Sequence, residues 1–270
     1  MTATGQKSKK KMNLELDQKN ALVCGSTAGI GKATAIGLAQ EGCNVTLLAR
    51  SEDKLKQVCD ALANNGSQHH SYIVADFTKP ETVAEAVKKA NTRFHILINN
   101  TGGPPGGAIV EADVTAFAKA FTQHLQTNHV LAQTLIPGMK EAGYGRIINV
   151  ISTSVKQPLD GLGVSNTIRG AVANWSKTMA NELGGYGITV NNVLPGATAT
   201  GRLSEIIANK AKKTGRSEAE ISEQMQQASP AKRFAQPSEI ANAIIFLASG
   251  AAAYINGINV PVDGGRTKSL

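Results

Sequence analysis

ALVCGSTAGIG, residues 21–31, runs from an apolar segment through a glycine-rich one with no break between them. ALVC (21–24) has the composition of a buried strand, GSTAGIG (25–31) is a glycine-rich turn, and a helical pattern follows without a linker. Glycines at such a junction let the chain turn tightly and bring a helix N-terminus up to a pyrophosphate, whose charge the unpaired N–H groups and the helix dipole favour. Gly25, Gly29 and Gly31, with Ser26, Thr27 and Ile30 between them, are therefore candidate cofactor-binding residues.

Outward from this unit, short β-branched runs alternate with longer helical patterns. The strand candidates after the first are 44–48, 71–75, 96–99, 146–151, 189–194 and 258–262. Amphipathic segments such as ETVAEAVKKA and PSEIANAIIFLAS lie between them. Seven strands separated by helices predict α/β architecture: a single-domain, Rossmann-type doubly wound parallel sheet with helices on both faces. The domain is expected over 13–270, after a disordered basic tail at 1–12. The polar segment 202–230 reads as a substrate lid on the surface.

Composition excludes several function classes. The chain is 41% hydrophobic and 18% charged, as ordinary globular proteins are. Lys7, Lys9, Lys10 and Lys11 supply half of the net charge of +8, and the scattered remainder gives no nucleic-acid footprint. Three cysteines without clustered spacing, Cys24, Cys43 and Cys59, imply neither a disulfide framework nor a metal site. His69 and His70 lack partners at ligand spacing and read as loop. No secretory signal or membrane span is expected, so the cytoplasm is the default location.

The second strand ends in LLARS (47–51). A carboxylate there would suit the ribose hydroxyls of NAD, whereas Arg50 with Ser51 suits a 2′-phosphate through a charge-assisted fork. NADP(H) is the expected cofactor.

These features resemble the short-chain dehydrogenase/reductase family, with a lean towards its 3-oxoacyl reductase-like members. CGSTAGIG (24–31) is similar to the family's TGxxxGIG, NNTG (99–102) to NNAG, PGATAT (195–200) to PGxxxT, and YINGINVPVDGG (254–265) to YxTGxxxxVDGG. The resemblance implies cofactor contacts from Asp76 and Phe77 in ADF, from Asn100, Thr101 and Gly102, and from Pro195, Gly196 and Thr200. It also implies a homo-oligomer, dimer or tetramer.

The resemblance fails at the centre. The family's Tyr-x-x-x-Lys lies thirteen residues after a serine and thirty before the PG. That count falls on Ser165 and Arg169, in SNTIR, with Ser152 as the preceding serine. The family's asparagine falls on His124, while Asn128 lies one turn further on. Ser152, Ser165, Arg169 and His124 are thus the candidate catalytic residues. An alkyl hydroxyl is a far weaker acid than a phenol. Arg169 can still bind the nicotinamide ribose and stabilise an oxyanion. His124 has the ordinary pKa of a proton donor near neutrality, or it is a histidine on an inner helix face, satisfied by a carbonyl. Ser154 and Lys156 follow Ser152 closely and line the pocket or are exposed. Trp175, on the helix of Arg169, reads as packing or subunit interface.

Two functions follow. One is an oxidoreductase interconverting a carbonyl and an alcohol with NADP(H) and a rebuilt proton-delivery site. The other is a catalytically silent NADP(H) binder serving as sensor or scaffold.

Overall fold

The computed structural model describes residues 12–269; the lysine run at 7–11 lies outside them. Seven strands form one sheet: β1 (Asn20–Cys24), β2 (Asn44–Ala49), β3 (Ser71–Val74), β4 (Ile96–Asn99), β5 (Gly145–Val150), β6 (Ile188–Pro195) and β7 (Asn259–Val262). All are parallel, in the order β3-β2-β1-β4-β5-β6-β7. Every expected strand is present within one residue at each end. The strand order reverses between β1 and β4, which fixes the ligand crevice above their carboxyl ends.

Alternating side chains bury both faces. Ala21, Val23, Ile96 and Ile98 meet α1 (Gly29–Gln40), α2 (Glu52–Asp60) and α9 (Pro237–Ala248). Leu22, Cys24, Leu97 and Ile147 meet α3 (Pro80–Lys89), α5 (Thr127–Ala142) and α6 (Gly163–Leu183). Cys24 behaves as a small buried hydrophobe, its thiol pushed up to about 12 by burial.

Three local features shape the site. Between α4 (Val114–Phe121) and α5, residues Thr122–Gln126 form one wider helical turn, in which the Thr127 N–H reaches the Thr122 carbonyl. Such a bulge re-aims side chains without ending the helix. Second, a chain of asparagine amides, buried in β4, β5 and β6, joins four strands. Asn99 donates to Asn149 at 2.8 Å, Asn149 to Asn192 at 2.9 Å, and Asn192 to Asn259 at 2.8 Å. Third, the expected lid is a helical pair, α7 (Gly201–Thr214) and α8 (Glu218–Gln227), with its own small core of Leu203, Ile207, Ala211 and Ile221.

His70 lies in a loop, as expected, and is held there by two bonds. It accepts from the Val45 N–H and bonds the Ala63 carbonyl, stitching that loop to β2. Among the described residues no helix is long and apolar enough to cross a membrane.

Candidate active site

The β1–α1 turn is built for close approach. Gly25 has φ +58°, and a Cβ on Gly31 would strike the Gly25 carbonyl and lie 2.6 Å from Asn100 Nδ2. That amide donates to the carbonyls of Cys24 and Gly25 at 3.3 Å each, so NNTG and the glycine turn are locked together. Ala28 caps α1 with no side-chain bond, which leaves the first-turn N–H groups open. Ser26 is fully buried and its hydroxyl has no partner among the described residues. Open donors, a buried hydroxyl and a turn with no room for a Cβ fit a pyrophosphate. Thr27, Gly29 and Ile30 line the same turn, and Thr200 touches it: a Cβ on Gly29 would lie 3.1 Å from the Thr200 methyl.

At the end of β2, Arg50 is exposed and takes part in none of the ion pairs among the described residues. Ser51 caps α2 without spending its hydroxyl. Asp76 follows β3; the Thr78 N–H holds its carboxyl below the usual range, and Arg50 and Lys79 add to this. The Phe77 carbonyl instead serves the structure, accepting from Thr127 at 2.8 Å. Pro195 ends β6 and Gly196 follows it, where a Cβ would press on Asp263. Gly102 is open to solvent.

The candidate catalytic residues come from three elements. Ser152 caps the short turn Thr153–Val155 after β5, its hydroxyl accepting from the Ser154 N–H at 3.1 Å. Ser154 is buried and its hydroxyl is without a partner among the described residues, while Lys156 is half-buried. Ser165 lies in the first turn of α6, partly exposed and without a side-chain bond among the described residues. One turn on, Arg169 is buried; its Nη1 donates to the Val150 carbonyl at 3.1 Å, and its Nη2 lies beside Gly103. Burial lowers Arg169 to about 10, so it remains a cation at neutral pH.

His124 corrects the reading of a neutral-range acid. It occupies the wide turn, is 1% exposed, and pairs through Nδ1 with the Thr101 hydroxyl at 2.5 Å. Desolvation, with the charge of Arg169 added, lowers its pKa from 6.5 to about 2. The ring is therefore neutral, and it bonds a side chain where a backbone carbonyl was the alternative. Asn128 is buried one turn away. Trp175 packs within the chain, donating to His129 at 3.3 Å.

Residues 25–267 match the family model described as Enoyl-(Acyl carrier protein) reductase. The D-beta-hydroxybutyrate dehydrogenase of Rhizobium meliloti is 32% identical over 256 residues, 92% of this chain and 98% of that protein. The L-sorbose reductase of Gluconobacter frateurii, solved with NADPH and L-sorbose, superposes with a TM-score of 0.89 at 32% identity, covering 96% of this chain and all of that one. An NADPH-dependent reductase of bacilysin biosynthesis gives 0.87 at 28% identity, covering 94% of this chain and all of that one.

Proposed function

The chain belongs to the short-chain dehydrogenase/reductase family, and from that premise we propose that it interconverts a carbonyl compound and its alcohol with NADP(H), using a permanent cation and two hydroxyls where the family places a phenol. The observation that carries this reading is Arg169: a buried guanidinium with no acidic partner among the described residues, anchored to Val150 and opening beside Gly103. A buried cation without a counter-charge is costly. In an active site the cost is offset when negative charge develops on the substrate.

The cofactor supplies or accepts the hydride when bound, held by the 25–31 turn and, through its 2′-phosphate, by Arg50. Ser152 and Ser165 hold the carbonyl oxygen, and Arg169 stabilises the charge that grows there. Neither serine nor the neutral His124 is a matched acid, so solvent supplies the proton to the alkoxide. The α7–α8 pair serves as the substrate lid. Arg202, at the start of α7, donates to the Pro104 carbonyl at 2.9 Å and so ties that lid to the β4 loop. Exposed Val110 and Val114, at 90% and 81%, support a homo-oligomeric contact at the α4 side.

The test is calorimetric titration with NADPH and NADH, followed by a carbonyl panel assayed for NADPH oxidation. Tight NADPH binding with turnover supports the reading. NADPH binding without turnover on any carbonyl overturns the catalytic part, and no binding overturns both parts.

A further inference from the structure

Two loops at the carboxyl end of the sheet meet around a cavity of about 60 Å³, lined by Thr153, Gln157, Leu159, Arg266 and Thr267. The first three follow β5 and the last two follow β7, so the cavity spans the end of β6 between them. Thr153 adjoins Ser152 and heads the short turn that Ser152 caps. The cavity thus borders the catalytic turn, on the side of the sheet where ligands of such folds bind. Asp263 holds the chain after β7 in place: its Oδ1 accepts from the Gly265 N–H at 3.0 Å and its Oδ2 from the Thr267 N–H at 2.8 Å.

The polar groups that line this cavity are unspent. The Thr267 hydroxyl is buried without a partner among the described residues. Among those residues the Thr153 hydroxyl, the Gln157 amide and the Arg266 guanidinium also make no side-chain hydrogen bond. Arg266 is half-buried, joins none of the ion pairs among the described residues, and is the one charged residue in the lining. Asp263, the neighbouring carboxylate, has spent both oxygens on backbone N–H groups. The larger cavity beside Gly196 differs: Glu239 and Asp263 line it with Arg233, and Arg233 is clamped to Glu239 by two bonds of 2.6 Å. One unpaired guanidinium with an amide and two hydroxyls is a donor set for a monoanion with two acceptor oxygens. Room on the scale of a few waters admits a carboxylate and excludes a nucleotide. We infer that the substrate is an oxo acid, or its hydroxy acid in the reverse direction, with its carboxylate against Arg266 and its carbonyl at Ser152. Arg266 is then the specificity-determining residue. This rests on the oxidoreductase reading of the same site.

The experiment follows NADPH oxidation by the full chain with 4-oxopentanoate and 5-oxohexanoate, each beside its methyl ester. Each acid should show a kcat/KM about tenfold or more above that of its ester. Arg266→Gln should lower that acid-to-ester ratio roughly ten- to a hundredfold, chiefly through KM, and Arg266→Lys should retain more of it. Both substrates of a pair are read on one preparation, so partial loss of folding cancels from the ratio. Gln157→Leu, at an exposed position, should lower the ratio in the same direction but by less. Equal rates for acid and ester in the wild type overturn the inference, as does an acid preference that survives in Arg266→Gln. The oxidoreductase reading fails by a different result. Calorimetric titration of the NADPH complex with the same acids, showing binding that Arg266→Gln abolishes but no turnover, upholds the carboxylate site and removes the chemistry. Neither binding nor turnover with any acid overturns the inference, whether or not the esters are reduced.

Discussion

Arg169 Nη1 donates to the Val150 carbonyl at 3.1 Å, tying the opening turns of α6 to the end of β5, and no carboxylate among the described residues forms an ion pair with it. The bond fixes where the cation sits but offsets only part of its desolvation. Arg169→Met should therefore stabilise the cofactor-free protein by about 1 kcal/mol, or about 2–4 °C in Tm. The same change should weaken NADPH binding and depress turnover. Thermal melts with and without NADPH give both numbers. A large drop in the cofactor-free Tm would show that the charge is already compensated.

Arg50 lies beyond the last residue of β2, exposed and in none of the ion pairs among the described residues. A charge-assisted fork to a 2′-phosphate contributes about 1.5–3 kcal/mol. Arg50→Ala should therefore weaken NADPH by roughly ten- to a hundredfold and leave NADH unchanged. Calorimetry with both dinucleotides decides it. Equal losses for the two would place Arg50 elsewhere in binding.

Much of this was legible in the sequence because period and punctuation carry it. Each strand is a short apolar run, and ALVC feeds the glycine turn directly. Residue counting also aligned Ser152, Ser165 and Arg169 with the family's catalytic positions. What stayed hidden depends on long-range geometry. Nothing in FTQHLQ announces a wide helical turn, and the Thr101–His124 contact joins residues from separate elements. The pKa of His124 follows from burial, which a motif cannot show. The small core of the α7–α8 pair was readable in principle, since Leu203, Ile207 and Ala211 recur every fourth residue along a charged helix.

Gly31 and Gly170 should respond to the same substitution with opposite signs. A methyl on Gly31 meets the Gly25 carbonyl and Asn100, whereas one on Gly170, inside α6, meets nothing within 4 Å. Gly31→Ala should lose about 1–3 kcal/mol through overpacking, along with NADPH binding. Gly170→Ala should gain about 0.5–1 kcal/mol from helix propensity. Denaturant midpoints for the two variants report the signs, and destabilisation at Gly170 would contradict the open space there.

Asn149 is central in the amide chain: it accepts from Asn99 and donates to Asn192, with Ser176 at 3.3 Å. Asn149→Leu strands the Asn99 amide and the Asn192 carbonyl in the core, at about 1–3 kcal/mol each. Asn259→Leu, at the end of the chain, strands one partner and should cost less. Urea unfolding of both variants tests that order.

His124 should make the fold acid-sensitive. Its pKa is depressed in the folded chain, from 6.5 to about 2, so between those values the unfolded chain binds a proton that the folded chain refuses. Stability contributed by the neutral ring is thus present above about pH 6.5 and lost as pH falls, by up to about 1.4 kcal/mol per unit. His95, lowered mainly by burial, acts in the same direction. Carboxylates held low, such as Glu239 with Arg233, add losses only below the ordinary carboxylate range. The interval between about pH 6.5 and 5.5 therefore isolates the histidines, and His124→Asn separates one from the other. Urea midpoints across that interval should fall steeply in the wild type and more gently in His124→Asn. Parallel slopes in the two proteins would mean that the folded chain protonates His124 after all.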